Sequence, residues 1–171
     1  MTIRTLLYAA VVLAITGCGS DASKGWVFGT TYDTSIKTVA VPVVQNNTFD
    51  REVGYLLTKA LIQQIETRTP WRVADETVAD TLLEVRITDV DMRVLSNSRL
   101  TKLDQEMALE LTTNWTWERL DDNSTITGWD GMGTNGMFFP SNPLGERIEL
   151  GRLQAVDLMA QAIVDRMAKA W

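Results

Sequence analysis

Residues 105–119 constrain the fold of this chain more than any other stretch. Met107, Leu109, Leu111, Trp115 and Trp117 share one phase of a two-residue period, and Glu110, Thr112, Asn114, Thr116 and Glu118 fill the other. Such a period places the first set on one side of a pleated strand and the second set on the other. The stretch is therefore a long antiparallel strand with one covered and one wet face. Asp121-Asp122-Asn123-Ser124 has turn chemistry, and residues 125–129 return as a further strand. Residues 81–94 also alternate, but Leu83, Val85 and Ile87 are out of phase with Val90, Met92 and Val94. That slip predicts a β-bulge near Thr88-Asp89. A polar connection, residues 95–104, joins the two long strands and carries Arg99 and Lys102.

A one-sided sheet needs a cover. From Arg51, the residues Val53, Leu56, Leu57, Ala60, Leu61 and Ile65 recur in steps of three and four, an amphipathic helix that stops before Pro70. Asp50 stands where an N-cap is expected. Leu153, Val156, Ala160, Ile163 and Met167 predict a second helix running nearly to Trp171. Residues 36–44 (IKTVAVPVV) read as a strand whose end Pro42 pushes toward a sheet edge, residues 45–50 as a turn, and residues 71–74 as a short extended piece. Residues 131–143 read as a loop rich in Gly, Met and Phe. The order is β-α-β-β-β-α, with a right-handed first crossover between parallel strands. The predicted fold is an α+β two-layer sandwich: a mixed sheet with two helices on one face. The strand over 105–119 extends to roughly 50 Å and the first helix to about 25 Å, so part of the long hairpin overhangs its cover. An overhanging apolar end needs a partner or a ligand.

The amino terminus adds a location. One cation, Arg4, precedes an apolar run over residues 6–15, the pattern of an export signal. At ten residues the run is well short of the roughly 20 needed to span a bilayer as a helix. Ile15-Thr16-Gly17-Cys18 resembles the lipobox of bacterial lipoproteins, which implies cleavage before Cys18 and acylation of that residue. This divides the chain into a signal peptide (1–17), a lipidated terminus with tether and entry segment (18–35) and a single α+β domain (36–171). Gly19 after Cys18, by resemblance to enterobacterial lipoproteins, favours the outer membrane. In the entry segment Gly25-Trp26-Val27-Phe28-Gly29, Trp26 either packs on the domain or sits in the headgroup layer.

Composition removes several functions. The sequence has no histidine and one cysteine, which takes away the commonest neutral-pH base and metal ligand and any intrachain disulfide. No metal site, cofactor or catalytic residue is expected, and the chain is not read as an enzyme. A net charge of −6, or −7 once Arg4 leaves with the signal, gives no footing for nucleic acid. Gly131-Met132-Gly133-Thr134-Asn135-Gly136 matches GxGxxG, but two prolines, Pro140 and Pro143, follow where a dinucleotide-binding helix would begin. In this segment Met132, Met137, Phe138 and Phe139 are either buried or a soft contact surface for a partner. The cations Arg93, Arg99 and Lys102 at the hairpin connection either solubilise a strand edge or grip glycolipid phosphates through charge-assisted hydrogen bonds.

The order of these segments resembles a known family. Gly25-Trp26-x-Phe28, Ile36-Lys37-Thr38-Val39-Ala40-Val41-Pro42 with Asn46-x-Thr48-Phe49, the helical Leu56-Leu57-Thr58-Lys59-Ala60-Leu61, and Ala79-Asp80-Thr81-Leu82-Leu83-Glu84-Val85 are similar to the lipopolysaccharide-assembly lipoproteins of the LptE family. The resemblance implies an outer-membrane lipoprotein, anchored by lipid on Cys18, that plugs and helps assemble the LptD-type β-barrel translocon and assists lipopolysaccharide transport. It implies a plug and chaperone without enzymatic activity. A second resemblance, of the first strand, its Asn/Thr turn and the helix, is to CsgG-like and penicillin-binding-protein-activator lipoproteins of secretion and peptidoglycan synthesis.

Overall fold

The computed structural model describes residues 32–100, 103–140 and 147–170. Its elements run β1 (Thr38–Ala40), β2 (Gln45–Asn46), α1 (Arg51–Arg68), β3 (Arg72–Val73), β4 (Thr81–Asn97), β5 (Asp104–Arg119), β6 (Thr125–Phe138) and α2 (Ile148–Ala168). The sheet is mixed, in the order β3-β1-β4-β5-β6, with β2 pairing β4 off the main path. β1 is parallel to β3 and β4, whereas β4, β5 and β6 form an antiparallel meander. The α+β order and the mixed sheet with two helices are as the sequence predicts.

The first strand is shorter than its β-branched composition suggests. Pro42 has no amide to give a ladder, and pairing lapses from Val41 to Val44. It resumes at Gln45 and Asn46, so two residues read as a turn are a parallel rung beside Arg86 and Ile87 of β4. Asp80 fastens the base of this edge: its carboxylate accepts the amides of Lys37 and Thr38 and the Thr38 hydroxyl, each at 2.9 Å.

β4 and β5 form the long hairpin. The register shifts between Ile87 and Asp89, where alternation slips, and Thr88 Oγ1 donates to the carbonyl of Thr112. Beyond the bulge Val90, Met92 and Val94 pair with Leu111, Leu109 and Met107, which keeps the apolar set on the helix side. On β5 the position skipped by the apolar pattern is Thr113, fully buried, with its hydroxyl 3.2 Å from Met159 Sδ. At the base Trp71 packs on Trp117 with ring centroids 4.9 Å apart, and Tyr32 meets Trp71 edge-on at 5.4 Å.

β6 corrects the loop reading of residues 131–143. The strand continues to Phe138, with Met132, Thr134, Gly136 and Phe138 facing the helices opposite Thr113, Leu111, Leu109 and Met107. Glycines hid this alternation. Gly131 has φ +70°, and its amide donates to Asn114 Oδ1 where the register shifts. Gly136 has another reason: a Cβ there would collide with the carbonyl oxygen of Gly151 and lie 2.7 Å from the Ala155 amide. Strand and helix thus meet backbone to backbone, and the Thr134 hydroxyl donates to the Ala155 carbonyl.

Two smaller expectations also change. Asp50 precedes α1 but makes no side-chain cap; its carboxylate pairs with Arg152 of α2 at 2.7 Å, and Arg152 reaches Glu52 at 3.1 Å. Leu153 is half-exposed at the rim of α2, whose buried stripe is Gly151, Ala155, Val156, Met159, Ala160, Ile163, Val164 and Met167.

Candidate interaction surface

The hairpin outruns its cover. α1 has 18 residues, about 27 Å, whereas the 17 residues of β4 extend to about 56 Å. Up to Ile87 the helix-facing residues of β4 are buried; past Val90 they surface, with Val94 at 44% exposure and Leu100 in the turn at 95%. Leu95 and Leu103 are also exposed, so the tip carries an apolar ridge. Where the cover ends, a shallow notch lies between Phe49, Val90, Met92 and Ile148.

The tip is not a simple basic patch. Arg93 is exposed but pairs diagonally across the hairpin with Glu110 at 2.8 Å. Arg99 is exposed in the turn. Lys102 lies outside the described residues, as do Cys18 and Trp26. Asp91, Asp104, Glu106 and Glu110 occupy the same end of the hairpin, and Ser96 donates to Glu106 at 3.0 Å. An incoming phosphate would compete with Glu110 for Arg93 and meet Arg99 without such competition from an ion pair among the described residues.

The four Met and Phe residues divide by strand parity. Met132 and Phe138 face inward and are buried; Met132 Sδ accepts Trp115 Nε1 at 3.3 Å. Their burial takes them off the surface, so as contact residues they are corrected to core. Met137 and Phe139 are exposed.

Phe49 and Trp129 are exposed aromatics that the sequence did not mark as surface residues. Phe49 stands fully exposed on the β2–α1 turn. Its only signal was an aromatic among polar turn residues. Trp129 is 45% exposed, and the Arg166 guanidinium of α2 sits 3.7 Å over its ring. Nothing in the local pattern distinguishes this tryptophan from those of β5.

On the other side of the sheet Glu84, Arg86, Thr88, Thr112, Asn114 and Thr116 present a polar surface over which no described helix lies. Among the described residues no helix is long and apolar enough to cross a membrane. No group of three or more His, Cys, Asp and Glu residues is placed there to hold a metal ion.

Comparison with known proteins matches this arrangement. A family model described as LptE, lipopolysaccharide-assembly, matches residues 36–168, from just before β1 to the last turn of α2. No curated protein matches in sequence. Among solved structures the chain is similar to a protein of Xanthomonas campestris (11% identity, 84% of this chain and 93% of that one, TM-score 0.53). It is also similar to rare lipoprotein B of Shewanella oneidensis (13%, 77% and 94%, TM-score 0.52) and lipoprotein B of Nitrosomonas europaea (13%, 84% and 86%, TM-score 0.50). At these identities the structures establish the fold. With the family model spanning every described strand and both described helices, the chain belongs to the LptE family of non-enzymatic lipoproteins, and its role lies in lipopolysaccharide assembly.

Proposed function

We propose that this protein is lipidated on Cys18 after removal of residues 1–17, is held at the outer membrane, and plugs and helps assemble an LptD-type β-barrel that delivers lipopolysaccharide to the cell surface. The observation that carries the reading is the family match over residues 36–168. Two features of the molecule suit the role. The polar face of the sheet, over which no described helix lies, is compatible with a barrel lumen, whose wall is polar. The overhanging hairpin brings an apolar ridge and the Arg99 cation to one end, the two chemistries of a glycolipid with acyl chains and phosphates. Arg99 and Lys102 serve as phosphate contacts, Arg93 joins them when it leaves Glu110, and Met137 and Phe139 meet the partner.

The test is affinity purification of the full-length tagged lipoprotein from detergent-solubilised outer membranes, with co-purifying proteins identified by mass spectrometry. A stoichiometric large β-barrel is the expected outcome. Recovery of a peptidoglycan synthase, or of a ring of this chain alone, would overturn the plug reading. With a barrel in hand, Arg99→Glu and Lys102→Glu together reduce lipopolysaccharide retention while leaving the barrel complex intact.

A further inference from the structure

The two edges of the sheet differ. Edges offer unpaired backbone donors and acceptors to any passing strand, and proteins blunt them with shortness, charge, proline, bulges or cover. β3, at one edge, is two residues long. β6, at the other, runs 14 residues with Asp130 as its one charge and no proline. The amide of Met137 fixes which of its groups point outward, because it donates away from β5 to Gln154 Oε1 at 2.9 Å. Backbone groups alternate sides along a strand, so the exposed Gly133 and Asn135 also aim N–H and C=O away from β5. No described strand lies beyond them. The irregularity at Gly131 and the Gln154 side chain guard the flanks of this stretch, and among the described residues nothing guards the outward groups of residues 132–135 between them. Beside it Trp129 lies flat under Arg166. An aromatic with a guanidinium is the type of side-chain anchor enriched at interaction hot spots.

We propose that β6, over residues 132–135, is a docking strand onto which an extended segment of another protein adds, continuing the sheet by backbone pairing. Its occupant is a strand-forming segment with few charges and a basic residue facing Asp130. A second copy of this chain fits poorly, because each copy carries a net charge of −6 and repels another of the same sign. The identity of the occupant rests on the plug reading, under which it belongs to the barrel protein; the edge itself does not.

The experiment uses the full-length tagged lipoprotein in its own membrane, with two variants. Asn135→Pro deletes one outward amide and leaves the inward β5–β6 ladder intact, the arrangement in which edge strands tolerate proline. The expected result is a drop of about tenfold in partner recovery, the order of one lost interfacial hydrogen bond, at unchanged thermal stability. In the second variant a photo-crosslinking side chain replaces Asn135 and is expected to capture the co-purifying barrel. If the barrel co-purifies but neither effect is seen, edge docking is wrong and the plug reading stands. If no barrel co-purifies, the plug reading fails, and edge docking stands only where the peptide crosslinked at position 135 is identified as a low-charge, strand-forming segment with a basic residue; any other capture overturns it. Capture of a second copy alone, or of nothing, overturns the inference. Should Asn135→Pro unfold the domain, the crosslink decides by itself.

Discussion

Val85 and Val94 are the same residue type on the same strand and the same side of the sheet, yet Val85 is buried and Val94 is nearly half exposed. The difference is helix cover. At the base, α1 and α2 press on β4 and β5 and close a core that includes Leu57, Leu61, Leu83, Leu111 and Ile163. At the tip the same two strands continue with the same alternation and nothing described lies over them. Patterning therefore fixes which face a side chain occupies, and the lengths of neighbouring elements fix whether that face is dry. Among the described residues the base is covered and the tip is not, which suits the proposed role of the tip in contacts outside the domain.

The contrast breaks most sharply with leucines. Leu111→Ala at the base removes a fully buried side chain and is expected to cost about 3–4 kcal/mol in chemical denaturation. Leu100→Ala at the tip is expected to stay within about 0.5 kcal/mol. A comparable loss at both sites would mean that the tip is packed, and the division would fall.

Glycines sharpen it next, within one strand. Gly136→Ala forces the β6 backbone off Gly151 and Ala155 of α2 and should cost about 2–3 kcal/mol, visible as a lowered melting temperature. A Cβ at Gly133 meets nothing within 4 Å, so Gly133→Ala should be close to neutral. If both variants melt alike, the backbone contact between strand and helix is not what seats α2.

Much of this was legible in the sequence, and the failures have causes. α1 was readable because six apolar residues hold a helical period without interruption, and the Thr88 bulge because the phase slip separates two clean runs. The overhang followed from element lengths alone, so the exposed tip with Arg99 was visible in advance. The second half of β6 was not: with Gly136 at an inward position and Gly131 and Gly133 nearby, its period of two disappears unless the helix backbone at Gly151 is already in view. The edge formed by Gly133 and Asn135 was hidden with it. Asp50 has the right residue type for an N-cap and gives its carboxylate to Arg152 instead, a long-range choice no local pattern encodes.

A pH titration then tests the base alone. The Asp80 carboxyl is held below its usual range, first by the Lys37 amide and then by the Thr38 hydroxyl. A lowered pKa in the folded state means its contribution is complete above the ordinary carboxylate range and fades as pH falls through the lowered value. Asp80→Ala should therefore cost about 1–2 kcal/mol at neutral pH, reflecting lost charged hydrogen bonds at an exposed site. The gap from the parent should close in acid. A gap that persists unchanged below the carboxylate range would show that Asp80 acts through packing.

The smallest effect is expected at the tip, where Arg93 and Glu110 touch at 2.8 Å with the Arg93 side chain 65% exposed. A pair so open to water gains little Coulomb energy and orders two long side chains to do so. A double-mutant cycle of Arg93→Ala and Glu110→Ala should give a coupling of about 0.5 kcal/mol or less, shrinking further in high salt. That weakness suits the proposed role, because a glycolipid phosphate has only a marginal contact to displace before it recruits Arg93 beside Arg99. A coupling of about 2 kcal/mol or more would mean that Glu110 holds Arg93 as firmly as a base contact, and Arg99 would remain the one described tip cation for the phosphate.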